Sequence, residues 1–291
     1  MRSLPLGPGA AAVSVIGYGG MHLSIDGRPP EADGIRAIHA SLDAGVTLID
    51  TANVYCLSDD DLGHNERLIA RALGSWRGPR DTILVATKGG LTRPGGGWER
   101  DGRPASLKRA CEQSLKALGI ERIALYQLHA PDPAVPLEES VGALGELRTE
   151  GKIERIGLSN VSVDQITRAG RVAPITSVQN RLNPWFREAL TTGVVDHCGA
   201  QGIGFLAYSP TGGGRLTKKI PDHSAARAVA TRRGISPHQA VIAWVLAQGR
   251  TVIAIPSARK VEHAIDGAEA GKVALEPGDL QELSAAEWSK A

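Results

Sequence analysis

The fold class predicted by this sequence is an α/β barrel, a closed ring of eight parallel strands with helices packed outside. Two observations predict it. Short apolar runs of strand length alternate with longer runs of helical period, and eight strand-length runs occur before the chain is nearly exhausted. Glycines follow most of the helical runs closely, where a left-handed C-terminal cap needs a residue without Cβ.

The predicted strands are residues 13–17, 47–50, 83–87, 123–128, 156–158, 177–179, 204–207 and 252–255. The predicted helices between them are residues 31–44, 65–73, 106–118, 137–150, 163–169, 194–200 and 237–247. Gly45, Gly119, Gly151, Gly170, Gly202 and Gly249 are the expected helix stops. Two segments fall outside the rhythm: a Gly/Pro-rich start from Leu4 to Ala12, expected as an N-terminal cap, and a helical extension after Val261. Residues 55–63 and 89–104 are long enough to be functional loops, the second with three consecutive glycines at Gly95, Gly96 and Gly97. No linker marks a second unit, so residues 1–291 are expected as one (β/α)8 TIM-barrel domain.

Composition narrows the class of activity. A hydrophobic share of 42% and a charged share of 22% are those of a globular chain with a substantial core. The 33 basic and 31 acidic residues are scattered, without the basic stripe that nucleic-acid binding needs, so any phosphate affinity must be local. Cys56, Cys111 and Cys198 are odd in number and widely separated, which points to a reducing compartment, the cytoplasm. Pro5, Gly7, Pro8 and Gly9 interrupt any apolar core of a secretion signal, and no run approaches the roughly 18 apolar residues of a membrane span.

In a parallel barrel, chemistry gathers at the C-terminal ends of the strands. There the sequence places Asp50-Thr51-Ala52-Asn53-Val54-Tyr55, Lys88, His129, Gln179-Asn180 and Tyr208-Ser209-Pro210. An Asp, a Tyr, a Lys and a His brought together make a proton-transfer centre. Free tyrosine, with a pKa of about 10, is a poor acid for a carbonyl oxygen at neutral pH unless its phenolate is stabilised. Lys88 is expected to supply that positive charge, Asp50 to hold Lys88, and His129 to orient a carbonyl.

The segments Asp50 to Tyr55, Ala86-Thr87-Lys88, Leu125-Tyr126-Gln127-Leu128-His129 and Gly157-Leu158-Ser159-Asn160 resemble those of the aldo-keto reductases. The resemblance runs from Val15-Ile16-Gly17-Tyr18-Gly19 through Ile255-Pro256. It implies an NADP(H)-dependent oxidoreductase that reduces a small aldehyde or ketone reversibly, with Asp50, Tyr55, Lys88 and His129 as catalytic residues and Tyr55 as proton donor. The chemistry it implies needs no metal.

The resemblance also implies a cofactor site. Gly19 and Gly20 lie beside it; Ser159, Asn160 and Gln179 match a carboxamide, and the Tyr208 ring matches a planar nicotinamide. The run from Ser209 and Pro210 through Gly212 to Arg215 resembles a loop over the pyrophosphate. Ser257, Arg259 and His263 follow the last strand where a 2′-phosphate is held, with Lys260 adding charge. This last segment departs from the family pattern, because His263 stands where arginine is frequent and Asp266-Gly267 replaces an acidic-amide pair. NADP is favoured by the cations, with NAD as the alternative.

Met21, His22, Cys56, Trp98 and Trp185 are candidate substrate walls by position, whereas Trp76 and Trp244 fall in helical patterns and are expected in the core. Asp59, Asp60 and Asp61 read as a solvated run. Two further readings stay open: an NAD-preferring alcohol dehydrogenase, and a regulatory subunit that senses the nicotinamide cofactor. The sequence is compatible with a monomer or a homo-oligomer.

Overall fold

The computed structural model of this protein describes residues 1–290. Eight parallel strands form one sheet in chain order: β1 (Tyr18–Gly19), β2 (Leu48–Asp50), β3 (Leu84–Gly89), β4 (Ile123–Leu128), β5 (Ile153–Ser159), β6 (Ile175–Arg181), β7 (Gly204–Tyr208) and β8 (Val252–Ile255). The ring closes where Ile16 bridges Ala254 in parallel. There the Gly17 N–H donates to the Ala254 carbonyl at 2.8 Å and the Gly19 N–H to the Pro256 carbonyl at 2.9 Å.

Around the ring run α1 (Glu31–Asp43), α2 (His64–Ser75), α3 (Pro104–Leu118), α4 (Leu137–Thr149), α5 (Val163–Val172), α6 (Val194–Gln201), α7 (Ser224–Arg233), α8 (Pro237–Leu246), α9 (Val261–Glu269) and α10 (Pro277–Ala285). Local chemistry sets their ends. Ser162 with Gln165 and Ser236 with Gln239 form capping boxes that start α5 and α8. Gly119 and Gly202 end α3 and α6 at a left-handed φ of 68°. Gly170 and Gly249 do not cap: Gly170 lies inside α5, and Gly249 packs so tightly that a Cβ would stand 2.7 Å from Val195. Among the described residues, no helix is long and apolar enough to cross a membrane.

The two-residue period of the strands sorts their side chains into two cores. Outward residues such as Tyr126, Ile156, Val178 and Phe205 pack beneath the helices. Inward residues Leu48, Ala86, Leu125, Leu206 and Ile253 fill the lower barrel. Above them the inward positions turn polar, at Asp50, Lys88, Gln127 and Gln179. The barrel is thus apolar at the bottom and hydrogen-bonding at the top, where the strands end.

One predicted strand is divided. Residues 13–17 do not form the first barrel strand as a unit: Ala12–Ser14 pairs antiparallel with Ser3–Pro5 in a hairpin, and the barrel strand is the short Tyr18–Gly19. The hairpin loop plugs the barrel bottom. Leu6 is fully buried, and a Cβ on Gly204 would stand 2.0 Å from the Leu6 carbonyl oxygen. Helix α7 was not predicted, because its apolar side chains are mostly alanines and carry little periodic signal. The 89–104 loop is a second small hairpin, Leu91–Thr92 against Glu99–Arg100, with the glycine run at its turn.

Candidate active site

Asp50 and Lys88 lie at or near the upper ends of β2 and β3, Tyr55 in the loop after β2, and His129 just beyond β4. Lys88 Nζ donates to Asp50 Oδ2 at 2.5 Å, to the Thr51 carbonyl at 3.0 Å and to the Tyr55 hydroxyl at 3.0 Å. Those three bonds use all the protons of the ammonium. The other Asp50 oxygen accepts from Gln179 Nε2 at 2.7 Å and Gln127 Nε2 at 3.3 Å. The carboxylate is therefore pinned on both sides. Because Tyr55 accepts from Lys88, its own proton is left to point elsewhere, and the residue lines a cleft. The His129 ring stands edge-on to Tyr55 with centroids 5.7 Å apart.

Electrostatics refine the proton-transfer expectation. Burial opposes the Lys88 charge, but Asp50 and Tyr55 outweigh it and raise the lysine above its ordinary value. Burial raises Tyr55 above 10, with Lys88 pulling the other way. Lys88 lowers Tyr55 as expected, but in the folded chain desolvation exceeds that pull, and Tyr55 is held as the neutral phenol. Burial, with the Lys88 charge added, holds His129 well below 6.5, so its imidazole is neutral. Its Nδ1 is buried without a hydrogen-bond partner.

The cleft has a volume of about 1240 Å³ and runs across the strand ends. It gathers Gly19, Ser159, Asn160, Gln179, Tyr208, Ser209, Pro210, Ser257, Arg259 and His263 of the expected cofactor set, and Met21, His22 and Trp98 of the expected substrate set. Asn160 knits its centre together: Nδ2 donates to the His129 carbonyl at 2.9 Å, and Oδ1 accepts from the Tyr208 hydroxyl at 2.9 Å. Asn160 and Ser209 are the non-glycine residues with positive φ among those described, at 59° and 49°. Such backbone strain concentrates where surrounding structure holds a functional surface. Gly19 keeps the cleft edge thin, since a Cβ there would stand 2.9 Å from the Ile255 carbonyl oxygen.

Lys88 is fully buried behind the cleft wall, and five of the expected cofactor and substrate residues, Gly20, Gly212, Arg215, Trp185 and Cys56, also lie outside the cleft lining. Gly20 is behind the wall, its N–H on the Asp50 carbonyl and its carbonyl accepting from Asn65. Gly212 turns inward, where a Cβ would meet Leu216 at 2.8 Å and Trp185 at 3.0 Å. Arg215 points away and donates to the Lys290 carbonyl at 2.7 Å. Trp185 is buried rather than facing substrate, edge-on to Trp288 at 4.7 Å with Nε1 on the Ser289 carbonyl. The chain after α10 folds back against this region and takes both side chains. Cys56 is also enclosed; burial pushes its thiol up to about 11. Trp76 and Trp244 are buried as expected. Asp61 pairs with Arg28 at 2.6 Å in the acidic turn, which stays clear of the cleft.

Sequence reasoning missed Lys218 and His238, which line the cleft with Arg259 and Lys260. The signal for Lys218 was its place in a Lys-Lys pair four residues beyond the glycine run; His238, at the start of α8, gave none. Leu91 was also missed as a wall near Trp98.

The model of the aldo/keto reductase family matches residues 15–287 of this chain. The chain belongs to the aldo/keto reductase family. Probable aldo-keto reductase 1 of Glycine max is 34% identical, over 97% of this chain and 88% of that protein. Among solved structures, the glycerol dehydrogenase of Gluconobacter oxydans superposes with a TM-score of 0.81 at 29% identity, covering 97% of this chain and 93% of that one. An aldo/keto reductase from Klebsiella pneumoniae, solved with NADP and acetate, gives a TM-score of 0.80 at 29% identity and covers 97% and 94% of the two chains. The (β/α)8 barrel of this aldo/keto reductase is thus the fold of its family, and its general chemistry is oxidoreduction.

Proposed function

We propose that this protein is an NADP(H)-dependent carbonyl reductase, converting an aldehyde or ketone to an alcohol with Tyr55 as general acid. The observation that carries the proposal is the chain from Asp50 through Lys88 to a Tyr55 hydroxyl that lines the cleft. The Klebsiella pneumoniae relative holds NADP, which favours that cofactor here.

The cleft residues fit such a cofactor. Ser159, Asn160 and Gln179 offer donors and acceptors for a carboxamide, Tyr208 an aromatic face, and Ser209, Pro210, Gly213 and Gly214 a close main-chain surface for pyrophosphate. Ser257, Arg259, Lys260 and His263, with Lys218 near, supply hydroxyl and positive charge for a 2′-phosphate. When bound, the reduced nicotinamide supplies the hydride. Neutral His129 donates a hydrogen bond to the carbonyl oxygen, which polarises and orients it. Tyr55 gives its proton to that oxygen, Lys88 stabilises the phenolate left behind, and Asp50 keeps Lys88 charged and in place. Met21, Leu91 and Trp98 form the apolar side of the pocket and exclude water. Three free, buried cysteines suit a cytoplasmic setting.

The test is a panel of aldehydes and ketones with NADPH and NADH, followed by cofactor oxidation. Turnover with NADPH above NADH is expected. Cofactor binding without turnover of any carbonyl would instead support a sensing role.

A further inference from the structure

Arg93 is a buried cation that the proposed chemistry leaves unused. It is 4% exposed and lies outside the cleft lining. A guanidinium taken out of water must recover its hydrogen bonds. Arg93 recovers those of its two terminal nitrogens on main-chain carbonyls, Nη2 donating to Cys56 at 2.9 Å and Leu57 at 3.1 Å and Nη1 to Gly97 at 3.3 Å, while Nε is buried without a partner. These acceptors belong to two loops, residues 55–63 and 89–104. The Arg93 carbonyl accepts from the Asp59 N–H at 3.1 Å, and Asp59 Oδ1 from the Gly95 N–H at 3.3 Å. The two loops are therefore braced together around one side chain.

The guanidinium also lies 4.0 Å from the centre of the Trp98 ring. Trp98 in turn stands edge-on to the Tyr55 ring, with centroids 6.4 Å apart, and is 47% exposed where it lines the cleft. A large aromatic on a glycine-rich turn has no fixed direction of its own. Here the Arg93 face supplies one, through a contact that strengthens when the cation is desolvated.

We infer that Arg93 is a positioning residue: it holds Trp98 beside Tyr55 as a flat wall, and so favours planar, aromatic carbonyl substrates. An aromatic aldehyde stacks on the indole, whereas a short aliphatic one has little to stack with. The inference rests on the carbonyl-reductase reading above.

Initial rates of NADPH oxidation with benzaldehyde and with propanal test it, for the wild type, Arg93→Lys, Trp98→Ala and the double variant. Lysine keeps the charge but loses the planar fork that grips three carbonyls and faces the ring. Arg93→Lys is expected to raise the benzaldehyde KM about tenfold, while the benzaldehyde kcat and both propanal constants stay within about twofold. In the Trp98→Ala background, Arg93→Lys is expected to add nothing further for benzaldehyde. Equal losses on both aldehydes, or a loss that persists without Trp98, overturn the positioning role. Trp98→Phe leaves the clamp in place and serves as an independent variant, with the ratio of benzaldehyde KM to propanal KM expected to rise; an unchanged ratio overturns the wall. Wild-type protein that reduces neither aldehyde overturns the parent reading and this one together. Wild-type turnover with an unaltered Arg93→Lys overturns this one alone.

Discussion

Lys88 Nζ donates a 2.5 Å hydrogen bond to Asp50 Oδ2 inside the barrel, where Lys88 is fully buried and the Asp50 side chain is 3% exposed. Removing one partner of such a pair leaves the other as a buried, uncompensated charge, a loss of about 3–5 kcal/mol. Lys88→Met is expected to lower the urea midpoint accordingly, and Lys88→Met with Asp50→Leu to recover much of the loss. A Lys88→Met protein as stable as the wild type would show that the pair does not hold the upper barrel together.

Acid should weaken the fold in a defined window. His129 titrates near 6.5 in the unfolded chain, and burial together with the Lys88 charge holds it well below that in the folded one. As pH falls below about 6.5 the unfolded chain takes up a proton that the folded chain refuses, so stability falls by up to about 1.4 kcal/mol per pH unit from this group. His22 and His64 are lowered in the same direction. Thermal melts between pH 8 and pH 5 should therefore slope downward toward acid. His129→Asn is expected to flatten that slope without removing it.

Arg259 is anchored at the cleft by its bond to the Gly27 carbonyl at 2.8 Å. If it reads a 2′-phosphate, Arg259→Ala should weaken NADPH about tenfold, the worth of one charge-assisted hydrogen bond, and leave NADH nearly unchanged. Fluorescence titration with both cofactors checks this. Equal losses for the two would favour the NAD alternative.

The C-terminal segment is expected to be a structural brace. Trp288 stacks on His223 at 3.7 Å and meets Trp185 edge-on at 4.7 Å, while Trp185 lies beneath Gly212 of the loop after β7. Trp288→Ala removes a buried aromatic and is expected to cost about 3–5 kcal/mol in denaturant unfolding. A variant within experimental error of the wild type would mean that the tail merely rests on the barrel.

Several of the expected residues that the fold brings to the upper barrel share a property: their position follows from the strand period. Asp50, Lys88, Gln179 and Tyr208 sit at inward positions near strand ends, so finding the strand found the side chain. What sequence reasoning missed depends on contacts far apart in the chain. Trp185 and Arg215 were read as site residues because both lie on loops above the barrel, yet each is claimed by the terminal segment around residues 288–290, some 75 to 104 positions away. Residues 13–17 carried the apolar pattern of a barrel strand, but pairing with Ser3–Pro5 takes their first half into the hairpin. The pull of Lys88 on Tyr55 was foreseen in sign; the larger effect of burial required the depth of the site. Arg93 gave no signal, since an arginine on a glycine-rich loop reads as exposed until its carbonyl partners are seen.

The most direct measurement of the central claim is Tyr55→Phe, assayed for NADPH oxidation with a carbonyl substrate and, separately, for NADPH binding by fluorescence. The hydroxyl is the proton donor of the proposed reaction, and the ring remains to fill its place. The rate is expected to fall by about 10²–10⁴-fold, with NADPH affinity nearly intact. Carbonyl reduction at the wild-type rate would contradict the account.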